Sequence, residues 1–273
     1  MRNVAFHGGN FIPLQRESKL ARYEIMATSG KRKSKKKAQG SLAPRLLTSP
    51  LESLVFLLPF ILFYEIGCIL TEPNVSWSAG QHRVVAFNLM QIFFELFGST
   101  GTWMPGLAVV IILLCTHAAS KKPWRVRHQV IGAMYAESAI FALPLMGFNF
   151  LLSADSVGSF GDRNLLTESI LGVGAGIYEE LVFRLVLISV LSMIGADLLG
   201  LPAKTTTIIA VIVAALAFSG HHHPPMGSEP FSTEKFIFRA LAGVYLGTVF
   251  VLRGYGPAAG THAAYNLLVI ATT

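Results

Sequence analysis

The run Tyr178-Glu179-Glu180-Leu181-Val182-Phe183-Arg184 sets two adjacent carboxylates and a guanidinium inside a largely apolar stretch from about Leu165 to Leu199. An ionisable side chain near a bilayer centre costs roughly 2.5–3.5 kcal/mol on insertion scales, so three together are rarely retained unless they pair and serve a function. On a helix, Glu180 and Arg184 stand four residues apart on one face, in the orientation that favours an ion pair. Glu179 is then turned about 100° away and left for other work. Two further polar clusters follow. Phe218-Ser219-Gly220-His221-His222-His223 closes the apolar run Thr205 to Ala217, placing imidazoles at a helix mouth just before Pro224-Pro225. His262-Ala263-Ala264-Tyr265-Asn266 lies in a small-residue segment near the C-terminus, with His262 and Asn266 on one helical face. Taken singly, an intramembrane histidine is often a satisfied interhelical hydrogen-bond donor, and a histidine triplet can be a solvated cap. Together the clusters supply a general base, imidazoles and an amide donor on three separate helices, in a medium that penalises unpaired polar groups.

The elements that must position these groups are membrane helices. The chain is 52% hydrophobic and 14% charged, against roughly 25% charged in soluble domains, and its mean hydropathy is +0.55. Apolar segments read at about 51–71, 104–119, 129–152, 165–199 (one helix or two), 205–220, 236–253 and 257–272, and all but the longer 165–199 are near the length of about 20 residues that crosses a bilayer. The predicted fold class is therefore all-α, a polytopic bundle of about seven or eight transmembrane helices. The stretch 84–99 is interrupted by Asn88, Gln91 and Glu95. Counting it as a full span would put Lys121, Lys122, Arg125 and Arg127 on the same side as the far end of the first helix, against the positive-inside rule, so it reads as interfacial or re-entrant.

Charge is concentrated at the front. Residues 1–49 hold eleven of the 22 Lys and Arg and only Glu17 and Glu24 as acids, so the pI of about 9.5 describes this segment. It reads as a basic, disordered, cytoplasmic tail before a transmembrane domain at 50–273. Lys31-Arg32-Lys33-Ser34-Lys35-Lys36-Lys37 has no interleaved aromatics, so lipid rather than nucleic acid is the expected partner. The first 25 residues show no apolar core of a cleavable signal peptide, and Met26 is a second candidate start. Cys68 and Cys115 read as ordinary core thiols, and Trp77, Trp103 and Trp124 as interfacial aromatics at segment ends. Gly172-Val173-Gly174-Ala175-Gly176 follows no strand, so close helix packing explains it better than a phosphate loop.

Glu179-Glu180-x-x-x-Arg184, Phe218-x-x-x-His222 and His262-x-x-x-Asn266, in that order over about residues 165–270, resemble the motifs of the CPBP intramembrane proteases. That family includes the type II CAAX prenyl endopeptidases (the Ras-converting enzymes) and bacterial lysostaphin-resistance and bacteriocin-immunity proteins. The resemblance implies that Glu179 and His222 activate the attacking water, that His262 and Asn266 stabilise the tetrahedral oxyanion, and that Glu180 supports the site through Arg184. Amide hydrolysis needs such a base and such donors. This chain departs from the pattern in having Leu185 where relatives often carry Gly, and a one-residue slip would hand the role of His222 to His221, with His223 adjacent. The family's naming as metalloproteases leaves two chemistries: zinc or another divalent metal on Glu179, His222 and His262, or a metal-free site. The implied substrate is a membrane-anchored protein, including prenylated CAAX types. Two other classes compete with the endopeptidase: a non-catalytic binding or immunity protein of the same fold, and a proton-coupled transporter using the Glu and His groups as a relay. The intact motif set argues against the first, and the lack of an internal repeat or broken-helix pair against the second.

Overall fold

The computed structural model describes residues 48–71, 85–96, 98, 103–152 and 164–272. The chain divides into two units, Met1–Leu46 and Leu47–Thr273, and every described residue belongs to the second. The expected basic tail up to residue 47, the alternative start at Met26 and Trp77 lie outside the described residues.

Eight helices and no strand are present among the described residues: α1 (Pro50–Thr71), α2 (Val85–Glu95), α3 (Met104–Ala119), α4 (His128–Leu151), α5 (Leu165–Leu198), α6 (Ala203–Gly220), α7 (Thr233–Arg253) and α8 (Tyr255–Thr272). Helices α1, α4, α5, α6 and α7 are long and apolar enough to cross a membrane, and α2 and α3 are shorter apolar helices. The stretch 165–199 forms one continuous 34-residue helix rather than two. Its turns widen to π-helix over Leu181–Ile188 and Ile194–Leu198, so the chain stays helical without a break. The ambiguous stretch 84–99 forms an 11-residue helix, about 16 Å long and too short to span.

Local signals account for the boundaries. Asn164 caps α5 by accepting from the Thr167 amide, and Ser232 caps α7 by accepting from the Lys235 amide. Gly254, at φ +94°, makes the corner between α7 and α8 in backbone space that side-chain-bearing residues rarely enter.

Polar contacts tie helix termini together at one end of the bundle. Arg127, from the basic connection before α4, donates to Glu52 in the first turn of α1 at 2.7 Å. Thr48 donates to the Arg253 carbonyl, and Arg253 pairs with Glu137 of α4 at 2.7 Å. The start of α1 and the basic 120–127 connection therefore share one end, as the charge argument required if 84–99 does not cross. The opposite end gathers the finish of α4, α6 and α8 and the start of α5 and α7. Trp103 and Trp124 are exposed near helix ends, and both cysteines are free, with Cys115 exposed rather than in the core as its apolar segment suggested.

Helix α8 sits at the centre, packed mainly on α5 and α4, and every residue from Tyr255 to Ala263 is buried. Small residues make this approach feasible. A Cβ on Gly176 would lie 2.7 Å from the Ala263 amide nitrogen, and one on Gly174 would overlap the Tyr64 ring of α1. The glycine series is thus a packing device on both flanks of α5. We predict opposite outcomes for two Gly→Ala changes. At Gly147, where the space is open, the gain in helix propensity of about 1 kcal/mol should stabilise or leave the protein neutral. At Gly176, overpacking of about 1–3 kcal/mol should outweigh that gain. Thermal unfolding in detergent reads both signs.

Candidate functional site

Glu179 and Glu180 close the first α-helical stretch of α5, and Arg184 lies in the first π-helical segment beyond them. Arg184 Nη1 stands 3.0 Å from Glu180 Oε1, with both side chains fully buried. Its angle falls short of a hydrogen bond, so the contact is an ion pair. The guanidinium also lies 4.2 Å from the centroid of the Phe218 ring on α6, a cation–π contact that strengthens when desolvated. Phe218 packs edge-on against His222 and His262 as well. The motif phenylalanine, to which the sequence reading assigned no role, is thus a shared wall for the cation and two imidazoles. Removing one partner of such a buried pair typically costs about 3–5 kcal/mol, because the other is left uncompensated.

The imidazoles are oriented from behind. Nδ1 of His221 and Nδ1 of His222 both contact the Phe218 carbonyl oxygen, the latter at 3.0 Å, and Nδ1 of His262 contacts Glu180 Oε1 at 2.9 Å. Carbonyl and carboxylate oxygens only accept, so each Nδ1 donates and each Nε2 presents its other face. The three Nε2 atoms converge on Glu179: His221 at 3.5 Å and His222 at 3.9 Å from Oε1, and His262 at 3.8 Å from Oε2. A carboxylate ringed by three imidazole nitrogens can take the proton of a water, hold that water, or bind a cation.

A cavity of about 260 Å³ opens on this cluster, lined by Glu179, His222, His262 and Asn266 together with apolar side chains of α4, α5, α7 and α8. His221 is fully buried and does not line it, so the histidine facing the cavity is His222 and the one behind it is His221. His223 turns away to the Glu229 carbonyl. Asn266 reaches the cavity wall with one N–H donated to the Gly172 carbonyl at 2.9 Å, which fixes the amide and leaves its second N–H uncommitted. Glu180 and Arg184 sit one layer deeper and touch the cavity only through His262 and Phe218.

As a cation site, the donor group whose ligand atoms all lie within 4.8 Å of one another is Glu179, His221 and His222. His221 takes the place that the sequence reading gave to His262. Zinc bonds to nitrogen and oxygen are about 2.0–2.2 Å, so these donors fit a small divalent ion after modest closure, and their Nδ1 anchors are of the kind that orient metal-binding histidines.

Sequence reasoning missed Asn149, Arg239 and Tyr265, which line the same cavity. The signal for Arg239 was available, since it is the one charge inside the apolar run 236–252. Its Nη2 pairs with Glu229 Oε2 at 2.6 Å, while Lys235 takes Glu229 Oε1 at 2.5 Å. Burial raises the Glu229 carboxyl, but Lys235 and Arg239 together outweigh this and hold it below the usual carboxylate range. A lowered folded pKa stabilises the protein above the unfolded value of about 4.3, and that stabilisation is lost as pH falls through the folded value. We expect Tm to fall more steeply between about pH 5 and pH 3 in the wild type than in Glu229→Gln, which has no proton to gain there. A pH series of melting curves on both proteins checks this.

Residues 163–268 match the family model of the type II CAAX prenyl endopeptidase, Rce1-like. The match is consistent with the CPBP family and encloses Glu179, Glu180, Arg184, His222, His262 and Asn266. No curated protein and no solved structure matches the chain. The apolar helices and the membrane protease family of the matched segment support an integral membrane protein.

Proposed function

With residues 163–268 matching an Rce1-like domain of the type II CAAX prenyl endopeptidases, we propose that this protein is an intramembrane endopeptidase hydrolysing a peptide bond in a membrane-associated protein of the prenylated CAAX type. The observation that carries the reading is that Glu179, His222, His262 and Asn266, from three sequence-distant motifs, line one cavity. Glu179 accepts the proton of a water held against His222 Nε2, and the hydroxide formed attacks the scissile carbonyl carbon. The tetrahedral oxyanion receives the free N–H of Asn266 and, once protonated, Nε2 of His262. The proton reaches His262 from Glu179, whose Oε2 stands 3.8 Å away. That transfer leaves Glu179 ionised again, and the proton then passes from His262 to the leaving amine, which restores the neutral imidazole. Glu180 holds the Nδ1 side of His262, and Arg184 holds Glu180. A divalent ion, when bound, would be held by Glu179, His221 and His222 and would supply Lewis-acid polarisation of the carbonyl or of the water.

The same reading gives an orientation. The end carrying Lys121, Lys122, Arg125 and Arg127 faces the cytoplasm together with the chain entering α1, so the connection between α6 and α7 faces the opposite side. In a protein with Cys68 and Cys115 replaced by serine, Lys122→Cys should react with a membrane-impermeant maleimide only from the cytoplasmic side and Ser228→Cys only from the other. The reverse labelling pattern would invert the topology.

Purified protein should cleave a prenylated CAAX peptide. Glu179→Gln should lower kcat by about 10²–10⁴ and Asn266→Ala by about 10²–10³, each with little change in KM. Cleavage that persists at wild-type rate in Glu179→Gln sinks the mechanism. Loss of activity with chelator and its return with zinc would assign the metal-dependent form, and indifference to chelator the metal-free one.

A further inference from the structure

The cavity lining holds a cationic side chain that the hydrolytic machinery does not use. Arg239, nearly two turns into α7, is the one lysine or arginine in that lining among the described residues. Glu229 grips Nη2, yet Lys235 occupies the other oxygen of that carboxylate, so the three-residue cluster retains one formal positive charge. Nη1 of Arg239 is buried and has no hydrogen-bond partner, and the side-chain oxygen of Asn149 on α4, at the same cavity, is buried and equally unpartnered. Leaving a buried donor unmade costs about 1–3 kcal/mol, and more for a charged group, and nothing in the mechanism above engages either atom. A guanidinium held through one nitrogen, lining a largely apolar cavity and with its other terminal nitrogen unpartnered, suits a carboxylate, which it binds by charge-assisted hydrogen bonds. The Asn149 amide, turned about its last bond, adds an N–H to the same group.

A peptide main chain carries one anionic group whatever its sequence, the C-terminal carboxylate. We propose that Arg239, assisted by Asn149, receives the substrate's C-terminal carboxylate and so fixes how far from the free C-terminus the scissile bond meets Glu179. The proposal rests on the endopeptidase reading for its consequence in cleavage, but not for its consequence in binding. Arg239 is on this view a specificity-determining residue, and Glu229 positions it by holding Nη2.

The test is equilibrium binding, by fluorescence anisotropy, of one labelled prenylated CAAX peptide with a non-hydrolysable isostere in place of the scissile bond, prepared as the C-terminal acid and as the C-terminal amide, to the full chain in detergent. Wild type should bind the acid at least tenfold more tightly than the amide. Arg239→Gln should lose that discrimination while binding the amide as wild type does, and Arg239→Lys should restore part of it. Where cleavage is measured, the acid-over-amide preference should appear in KM and not in kcat. Equal binding of acid and amide by wild type overturns the proposal, as does discrimination that survives in Arg239→Gln. If anionic lipid added to neutral micelles abolishes acid binding by competition at Arg239, a headgroup phosphate is the occupant and the peptide assignment fails. Absence of cleavage with intact acid discrimination would refute the protease reading and leave the carboxylate site standing.

Discussion

Two carboxylates on successive residues, both buried in an apolar bundle, are the constraint around which the rest of this structure is arranged. Glu179 is 5% exposed and Glu180 not at all. Desolvated charges of this kind persist only with partners that recover the lost hydration. Glu180 takes Arg184 on one side and His262 Nδ1 on the other through a single oxygen. Among the described residues Glu179 pairs with no lysine or arginine and is met instead by three imidazole nitrogens. Two carboxylates against one guanidinium leave one formal negative charge in the cluster, which a proton or a bound cation can offset. A site that must gain positive charge to be balanced is suited to taking a proton from water.

That electrostatic arrangement depends on helix geometry at two points. The last turn of α6 leaves carbonyl groups without intrahelical partners, and the Phe218 carbonyl, one of these, accepts from both His221 and His222. The end of the helix thus provides the anchor that turns both rings toward α5. On the other flank, α8 must come close enough to α5 for His262 to reach Glu180 and Asn266 to reach Gly172. The absence of a side chain at Gly176 lets the two backbones meet there. Changing the packing therefore changes the chemistry, because the same contacts serve both.

In its lining the cavity sets a few polar groups, Glu179, His222, His262 and Asn266 together with Arg239, Asn149 and Tyr265, among apolar side chains of α4, α5, α6, α7 and α8. Its volume of about 260 Å³ is slightly below the range of about 300–1,000 Å³ usual for small-molecule sites. That scale suits a short extended stretch of chain.

Much of this was legible in the sequence. Hydropathy alone placed α1, α3, α4, α6, α7 and α8 to within a few residues, because twenty apolar residues in succession have few alternatives to a membrane helix. The Glu180–Arg184 spacing announced an ion pair for the same reason, a local periodicity. Positive-inside reasoning excluded 84–99 as a span, and the contact of Arg127 with Glu52 shows the shared end which that required. Tertiary structure alone decided the rest. Whether His221 or His222 faces the cavity turns on where α6 stops and how both rings share one carbonyl, and a one-residue register is invisible to hydropathy. That His221 joins Glu179 and His222 as the compact donor group, and that Arg239 lines the same cavity as Glu179, depends on α5, α6 and α7 meeting across sequence separations of tens of residues. Sequence by itself determined which groups had to be compensated, since burying a charge has a known cost. Only packing decided which neighbour does it, since several candidates lay within reach of each.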